Sequence, residues 1–278
     1  MMSDRYAVIG NPVRHSLSPG IHATFASETG EDIEYGRLLG DLEDFNGDVR
    51  DFFDHGGCGL NVTVPFKERA WELMDELSER ARIAGAVNTI TRLDNGKLCG
   101  DNTDGIGLVR DLKQNHGFDF SNASLLLIGA GGASRGVVSP LLEQQPASLM
   151  IANRTAEKAV MLADLFGGRG EICGCGLHEI GSQQFDLIIN ATAAGLKGDV
   201  PAIPDTCLTS GGWSYDMMYS REPTAFVRWG EAHHAGKALD GVGMLIEQAA
   251  ESFFIWRGVR PHTAAVIQQL GRAPLTTT

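Results

Sequence analysis

The amino-acid sequence predicts an α/β protein of two domains, on three grounds. Short β-rich runs alternate with helical stretches in two successive series, an order that builds a largely parallel sheet. One apolar run, Leu125-Leu126-Leu127-Ile128, leads directly into a cluster of glycines and then a helical stretch. The chain has 278 residues, 43% of them hydrophobic, which suffices for a core in each of two compact units. No acidic tail, basic arm, Pro-rich linker or short-period repeat interrupts it, so folding is expected throughout, with fraying at Thr276-Thr277-Thr278.

In the first series Tyr6-Ala7-Val8-Ile9 reads as a strand stopped at Gly10-Asn11-Pro12. Ser18-Pro19 carries the N-cap and first-turn signature of a helix running towards Glu28. Asn61-Val62-Thr63-Val64 reads as a strand ended by Pro65, Glu68 to Arg82 as one amphipathic helix, and Ala86-Val87-Asn88-Thr89-Ile90 as a further strand. The second series begins near Asp104 with a helix over Gly107 to Gln114. Its strands are Leu125 to Ile128, Leu149 to Ala152, Phe185 to Ile189 and Ser214 to Met217, short apolar runs suited to burial on both faces. After Gly241 one long helical period sets Leu245, Ala249, Ser252, Phe253 and Trp256 on one side and Glu247 and Glu251 on another. Such a helix is expected to return and pack on the first unit.

A net charge of -12 argues against nucleic acid and against anionic membrane surfaces as partners, because both are gripped by clustered Lys and Arg. No apolar run reaches the ~18 residues of a membrane helix. Met1 to Tyr6 lacks the basic and apolar regions of a signal peptide, so a cytoplasmic protein is expected. Five scattered cysteines make no disulfide framework, and Cys173-Gly174-Cys175 has no second pair to complete a zinc site. His233-His234, being adjacent, diverge on a helix, so no metal site is expected.

Gly129-Ala130-Gly131-Gly132-Ala133-Ser134, between a strand and a helix, has the order of a Rossmann-type dinucleotide turn. Glycines admit close approach of the backbone, and the helix N-terminus faces the pyrophosphate. Ser134 stands where a third glycine is usual and is small enough for tight packing of helix on strand. The next strand ends at Asn153-Arg154-Thr155, where an NAD site carries an acid on the ribose hydroxyls. Here the residue is cationic, and Arg154 with Lys158 one turn on suits a 2′-phosphate. As a mere surface residue, Arg154 at a helix start would oppose the helix dipole, so NADP(H) is expected rather than NAD.

Elsewhere single residues have ordinary explanations. Lys67 opens a helix, a poor place for a cation on dipole grounds, and Asp104 and Ser18 sit where helix starts commonly place an acid or a cap. In combination they say more. Gly10-Asn11-Pro12 with His15-Ser16-Leu17-Ser18-Pro19, Asn61 to Lys67, Gly85-Ala86-Val87-Asn88-Thr89 and Asp101-Asn102-Thr103-Asp104-Gly105 together resemble the shikimate dehydrogenase family. Gly129 to Gly136, Asn153-Arg154-Thr155, Asn190-Ala191-Thr192, Tyr215 to Tyr219 and Gly241 to Ala250 match that family in order, so the resemblance runs from Tyr6 to about Gly258.

The resemblance implies a substrate domain of residues 1–103 plus 243–278, an NADP-binding domain of 104–242, and an active site in the cleft between them. It makes Lys67 and Asp104 the catalytic pair and leaves open which of the two carries the proton, Lys67 being either that carrier or a fixed cation on the developing oxyanion. Ser16 and Ser18 would bind the substrate carboxylate, while Thr63, Asn88, Tyr219 and Gln248 would contact its carboxylate or hydroxyls, with Asn61 assisting. Gly129, Ala130, Gly131, Gly132, Ala133, Asn153, Arg154, Thr155 and Lys158 would hold NADP(H), and Glu79, Thr192, Met217 and Gly241 would line the nicotinamide side or its approaches. Two departures are visible: Ala193 where the family more often has serine, and Lys158 where relatives often use arginine. The implied reaction is reversible NADPH-dependent reduction of 3-dehydroshikimate to shikimate in aromatic amino acid biosynthesis. Alternatives are a quinate/shikimate dehydrogenase of broader substrate or NAD use, and a non-catalytic NADP-binding sensor. A homodimer is left open.

Overall fold

The computed structural model describes residues 3–192 and 198–272, so Ala193 and the three terminal threonines lie outside the described residues. Two compact units are formed, one from the chain up to Gly107 together with Leu245–Gln269, the other built on Leu108–Met244.

The first unit runs β1 (Asp4–Gly10), α1 (Ser18–Thr29), β2 (Ile33–Leu39), α2 (Phe45–Asp54), β3 (Gly57–Val62), α3 (Lys67–Leu73), β4 (Glu76–Leu77), α4 (Glu79–Ala84), β5 (Thr89–Arg92) and β6 (Leu98–Asp101). Its sheet has the order β2-β1-β3-β5-β6-β4. β1 pairs parallel with β2 and β3, but β5 runs antiparallel to both β3 and β6, so the expected largely parallel sheet is a mixed one. The cause is local. A turn closed by Leu93 N–H to Lys97 O and Gly96 N–H to Leu93 O joins β5 to β6, and a connection that short joins only antiparallel neighbours.

Two helix expectations are corrected here. Ser18 does not cap α1: Leu17 holds the N-cap position with no side-chain cap, and the Ser18 oxygen instead receives the hydroxyl of Ser16 at 3.2 Å. The single helix expected from Glu68 to Arg82 is broken in two. Met74 turns extended, Glu76 and Leu77 pair with Cys99 and Gly100 of β6, and Ser78 then caps α4 by accepting from Ala81 N at 3.1 Å. Helical periodicity continued across the break because both pieces pack apolar residues, Ala70 and Ala81 among them, on one core with Phe45, Phe66 and Ile90.

The rest of the chain runs α5 (Asp104–Arg110), a π-helical turn (Asp111–Asn115), β7 (Ser124–Ile128), α6 (Gly132–Leu142), β8 (Ser148–Asn153), α7 (Ala156–Asp164), β9 (Ile172–Gly176), β10 (Phe185–Asn190), β11 (Leu208–Asp216), α8 (Ala225–Ala232), β12 (Lys237–Leu239), α9 (Val242–Arg257) and α10 (Ala264–Arg272). The second sheet is parallel throughout, in the order β12-β11-β10-β7-β8-β9. The strand order reverses between β7 and β10, the position at which open α/β sheets bind ligands. The cysteine pair Cys173 and Cys175 belongs to β9, a strand not expected from the sequence. Gly174 explains it, because a Cβ there would lie 2.4 Å from the Ala159 backbone, so only glycine lets α7 rest on this edge.

α9 packs on the first unit as expected, with Trp256 Nε1 donating to Ile90 O at 3.2 Å. Its expected polar side is wrong, however, since Glu247 and Glu251 are 3% and 7% exposed. Thr263 donates to Glu247 at 2.6 Å, and Arg80 and Arg260 both pair with Glu251. Burial alone would push the Glu251 carboxyl up, but the hydrogen bonds of Arg260 and Arg80 outweigh it and hold it below its ordinary value of 4.5. A carboxyl held low in the folded state contributes stability above its unfolded value that is lost as pH falls through the folded one. Glu251→Gln should therefore cost about 1–2 kcal/mol at neutral pH and flatten the loss of stability below pH 4.5, which thermal melts across that range will read.

Candidate active site

Lys67 is the first residue of α3 and Asp104 the first of α5, and the fold brings these two helix starts together. Lys67 Nζ donates to Asp104 Oδ2 at 2.5 Å, with the side chains 18% and 6% exposed. The other carboxylate oxygen, Oδ1, accepts from Asn88 Nδ2 at 2.8 Å. Asn88 is itself fixed, because its Oδ1 accepts the backbone N–H of Thr103 at 2.9 Å, so the amide nitrogen must face Asp104. Asn102 sets the backbone by accepting Asp104 N–H at 3.1 Å and donating to Ala86 O at 3.0 Å. Gln248 on α9 joins through Oε1, which accepts from Asn88 Nδ2 and from the Thr103 hydroxyl, each at 3.3 Å.

Ser16, Ser18 and Asn61 form a second group of the same unit. Ser16 is held from outside by Arg37, whose Nη2 donates to its carbonyl at 2.7 Å. Asn61 at the end of β3 is 6% exposed and accepts the hydroxyl of Tyr35 at 2.7 Å. Thr63 follows on a partly exposed stretch and donates its N–H to Ile9 O at 2.9 Å. The nearby Gly10 is required by it, since a Cβ at Gly10 would lie 2.3 Å from the Thr63 methyl. Glu79 is exposed and its carboxylate is taken by Arg82 on the same helix. Tyr219 belongs to the other unit, and burial pushes its phenol above the ordinary value.

In the second unit the glycine cluster turns the chain from β7 into α6. Gly129 has φ +113° and donates to Ala152 O at 2.8 Å; a Cβ there would meet Ser134 Oγ and the Thr192 methyl at 3.2 Å. Ala130 and Gly131 follow, and a Cβ at Gly131 would meet nothing within 4 Å, which leaves open space over the start of α6. That helix starts with Gly132 and Ala133, has no side-chain cap and carries no acid in its first turn, so its N–H groups are set for an outside acceptor. Ser134 is fully buried beneath the turn.

β8 ends at Asn153, whose amide donates to Thr155 O at 2.9 Å, and Thr155 leads α7 without a side-chain cap. Arg154 and Lys158 are exposed and in no ion pair among the described residues. Thr192 is tied to Asn190 Oδ1 through its N–H at 3.1 Å and its hydroxyl at 2.7 Å. Met217 and Gly241 touch, since a Cβ on Gly241 would lie 2.3 Å from the Met217 carbonyl oxygen. An uncapped helix start behind glycines, with two unpaired cations after the next strand, fits a phosphorylated dinucleotide.

Sequence reasoning missed Tyr35, Thr89 and Ser252 and gave Thr103 no role. Thr103 could have been weighed for its position beside Asp104. Tyr35 and Ser252 carried no such signal, standing 26 and 191 residues from Asn61 in the chain.

A parallel sheet with a glycine turn at its reversal point, and a separate unit bearing a partly buried lysine–aspartate pair, together define the class of two-unit nucleotide-dependent oxidoreductases. Comparison narrows the class. Residues 8–90 match the model of the shikimate dehydrogenase substrate binding domain, 111–197 that of shikimate / quinate 5-dehydrogenase, and 241–270 that of the shikimate 5'-dehydrogenase C-terminal domain. The shikimate dehydrogenase (NADP(+)) of Marinobacter nauticus is 52% identical over 273 residues, 97% of this chain and 99% of that protein. Among solved structures, an Ael1 enzyme from Pseudomonas putida superposes with TM-score 0.89 at 45% identity, covering 99% of this chain and 100% of that one. A shikimate 5-dehydrogenase from Thermus thermophilus in complex with NADP(H) and shikimate gives TM-score 0.84 at 32% identity, covering 97% and 99%. The chain belongs to the shikimate dehydrogenase family.

Asn88 is 2% exposed and serves Asp104, Thr103 and Thr89 at once. Asn88→Ala strips partners from several buried polar groups, at about 1–3 kcal/mol for each left unsatisfied. A loss of about 2–4 kcal/mol is expected in denaturant melts. A loss under about 1 kcal/mol would mean that water takes the place of the amide.

Proposed function

We propose that this chain catalyses the reversible NADPH-dependent reduction of 3-dehydroshikimate to shikimate, as a cytoplasmic enzyme of aromatic amino acid biosynthesis. The observation that carries this is the Lys67–Asp104 pair, in which one ammonium hydrogen is committed to the carboxylate while the side chain keeps 18% exposure. An ammonium has three hydrogens, so two remain for the oxygen of a bound ketone. NADPH, when bound, supplies the hydride. Negative charge then grows on the ketone oxygen, and an ammonium held beside it stabilises that charge and stands within reach to pass a proton. Asp104 keeps the ammonium in position, and Asn88 keeps Asp104 in position.

Family membership supports the remaining assignments. Residues 1–103 plus 243–278 hold the substrate, with Ser16 and Ser18 on its carboxylate and Asn61, Thr63, Asn88, Tyr219 and Gln248 on its carboxylate or hydroxyls. Residues 104–242 hold the cofactor, with Gly129 to Ala133 at the pyrophosphate, Asn153 to Thr155 and Lys158 at the adenosine phosphate, and Thr192, Met217 and Gly241 towards the nicotinamide. Glu79 stands at its approaches. The unpaired Arg154 supports NADP over NAD, because a dinucleotide without a 2′-phosphate leaves that cation without a ligand partner.

Lys67→Ala should lower kcat for shikimate oxidation by at least roughly 10²-fold with a much smaller change in KM, in a protein that is destabilised by the loss of the Asp104 partner but, by thermal melts, still folded and able to bind NADP. Retention of kcat within about threefold would remove Lys67 from the chemistry, and a rise confined to KM would reduce it to a substrate contact. Arg154→Asp sets like charge against the 2′-phosphate and should raise KM for NADP at least roughly tenfold while NAD use changes less, as paired steady-state assays will read.

A further inference from the structure

We propose that Tyr35, Ser252 and Thr89 are positioning residues in a chain of hydrogen bonds that runs inside the first unit from Tyr35 through Asn61 to the carboxylate of Asp104. This rests on the role given above to Lys67 and Asp104. The chain's two amides are oriented by groups that can play only one part. Asn88 Oδ1 accepts the Thr103 backbone N–H at 2.9 Å, so it is the carbonyl side of that amide, and it also accepts the Thr89 hydroxyl at 2.9 Å. Thr89 Oγ1 and Ser252 Oγ lie 2.8 Å apart, a hydrogen bond in which either hydroxyl can donate. The Ser252 hydroxyl also faces Gln248 O at 3.0 Å.

Asn61 is oriented in the same way. Its Nδ2 faces the Asn88 backbone carbonyl at 3.2 Å, a group that only accepts, and the same nitrogen donates to Ser252 Oγ at 3.0 Å. The Asn61 carbonyl therefore faces Tyr35 and accepts its hydroxyl at 2.7 Å. The hydrogen bonds thus run from Tyr35 through Asn61, Ser252, Thr89 and Asn88 to Asp104 Oδ1, with Lys67 on the opposite oxygen.

The setting makes such a chain count. Thr89 and Ser252 are fully buried, Asn88 2% and Asn61 6% exposed, and hydrogen bonds in a poorly polarisable interior reinforce one another along a chain. The Tyr35 ring is clamped by His22, stacked at 4.1 Å with 7° between planes. Burial takes His22 down to about 3, so that ring is a flat neutral wall at working pH. Burial also pushes the Tyr35 phenol well above its ordinary value, which keeps it a donor. A hydroxyl lost in the middle thus loosens an amide that touches Asp104, although the lost group touches neither Asp104 nor Lys67.

The test compares Thr89→Val, which keeps the side-chain shape without the hydroxyl, with Thr89→Ser, which keeps the hydroxyl, and with Tyr35→Phe and the Tyr35→Phe/Thr89→Val double variant. Thermal melts, kcat, and KM for shikimate and for NADP are measured on the full chain, beside Lys67→Ala. Thr89→Val should stay folded and lose roughly 5- to 30-fold in kcat, with KM for NADP unchanged and KM for shikimate changing less than kcat. Thr89→Ser should restore most of the loss. The double variant should be no slower than the slower single one, because a chain already broken is not broken further. If the two losses multiply, or folded Thr89→Val keeps kcat within about twofold, the relay is wrong. Should Thr89→Val fail to fold, Ser252→Ala replaces it on the same criteria. An active Lys67→Ala would instead overturn the proposed chemistry itself, whereas an inactive Lys67→Ala with a normal Thr89→Val overturns the relay alone.

Discussion

A carboxylate taken out of water must have both oxygens engaged or the fold bears a large cost, and Asp104 is 4% exposed. One oxygen goes to Lys67 and the other to Asn88, and meeting these two demands arranges much of the first unit. Lys67 arrives because Phe66, stacked on Phe45 at 4.6 Å between ring centres, seats the start of α3 in the core. Asn88 arrives because its backbone N–H bonds to Asp101 O and its carbonyl accepts from Val62, so one residue spans two strands. The antiparallel turn from β5 to β6 then delivers Thr103 and Asp104 opposite it.

The second unit handles charge in the opposite way. Its parallel sheet is covered by helices, and its interior strands carry runs of Leu and Ile. Polar groups are left uncommitted at one end of the sheet, where α6 starts without a cap and Arg154 and Lys158 stand unpaired at the surface. In a chain of net charge -12 the proposed 2′-phosphate would give this arginine and lysine an anionic partner. The first unit spends its polar groups on one another before substrate arrives; the second holds them in reserve.

α9 shows how little a helix's pattern says about what surrounds it. Ser252, Glu247 and Glu251 are all buried, yet each meets a different partner: Asn61 and Thr89, Thr263, and the two arginines 80 and 260. A helix buried on nearly all sides needs polar groups matched one by one, and the partners come from distant parts of the chain.

The amino-acid sequence alone determined the α/β class, the parallel second sheet, the glycine turn, the cation after β8 and the identities of Lys67, Asp104, Asn88 and Gln248. Those features are carried by neighbours in the chain: strand periodicity, glycine spacing, and short motifs that resemble one family. Tertiary structure decided what depends on the meeting of distant residues. It split the helix expected over Glu68 to Arg82, because β6 offered Glu76 and Leu77 a strand partner, and it turned β5 antiparallel. It took the Ser18 hydroxyl away from capping and set it against Ser16. It buried Glu247 and Glu251, since a helical period counts apolar residues and cannot count the arginines and threonine that reach them. Tyr35, Thr89 and Ser252 were invisible for the same reason: a hydroxyl gains a role only from the acceptor it faces, and that acceptor is chosen by packing.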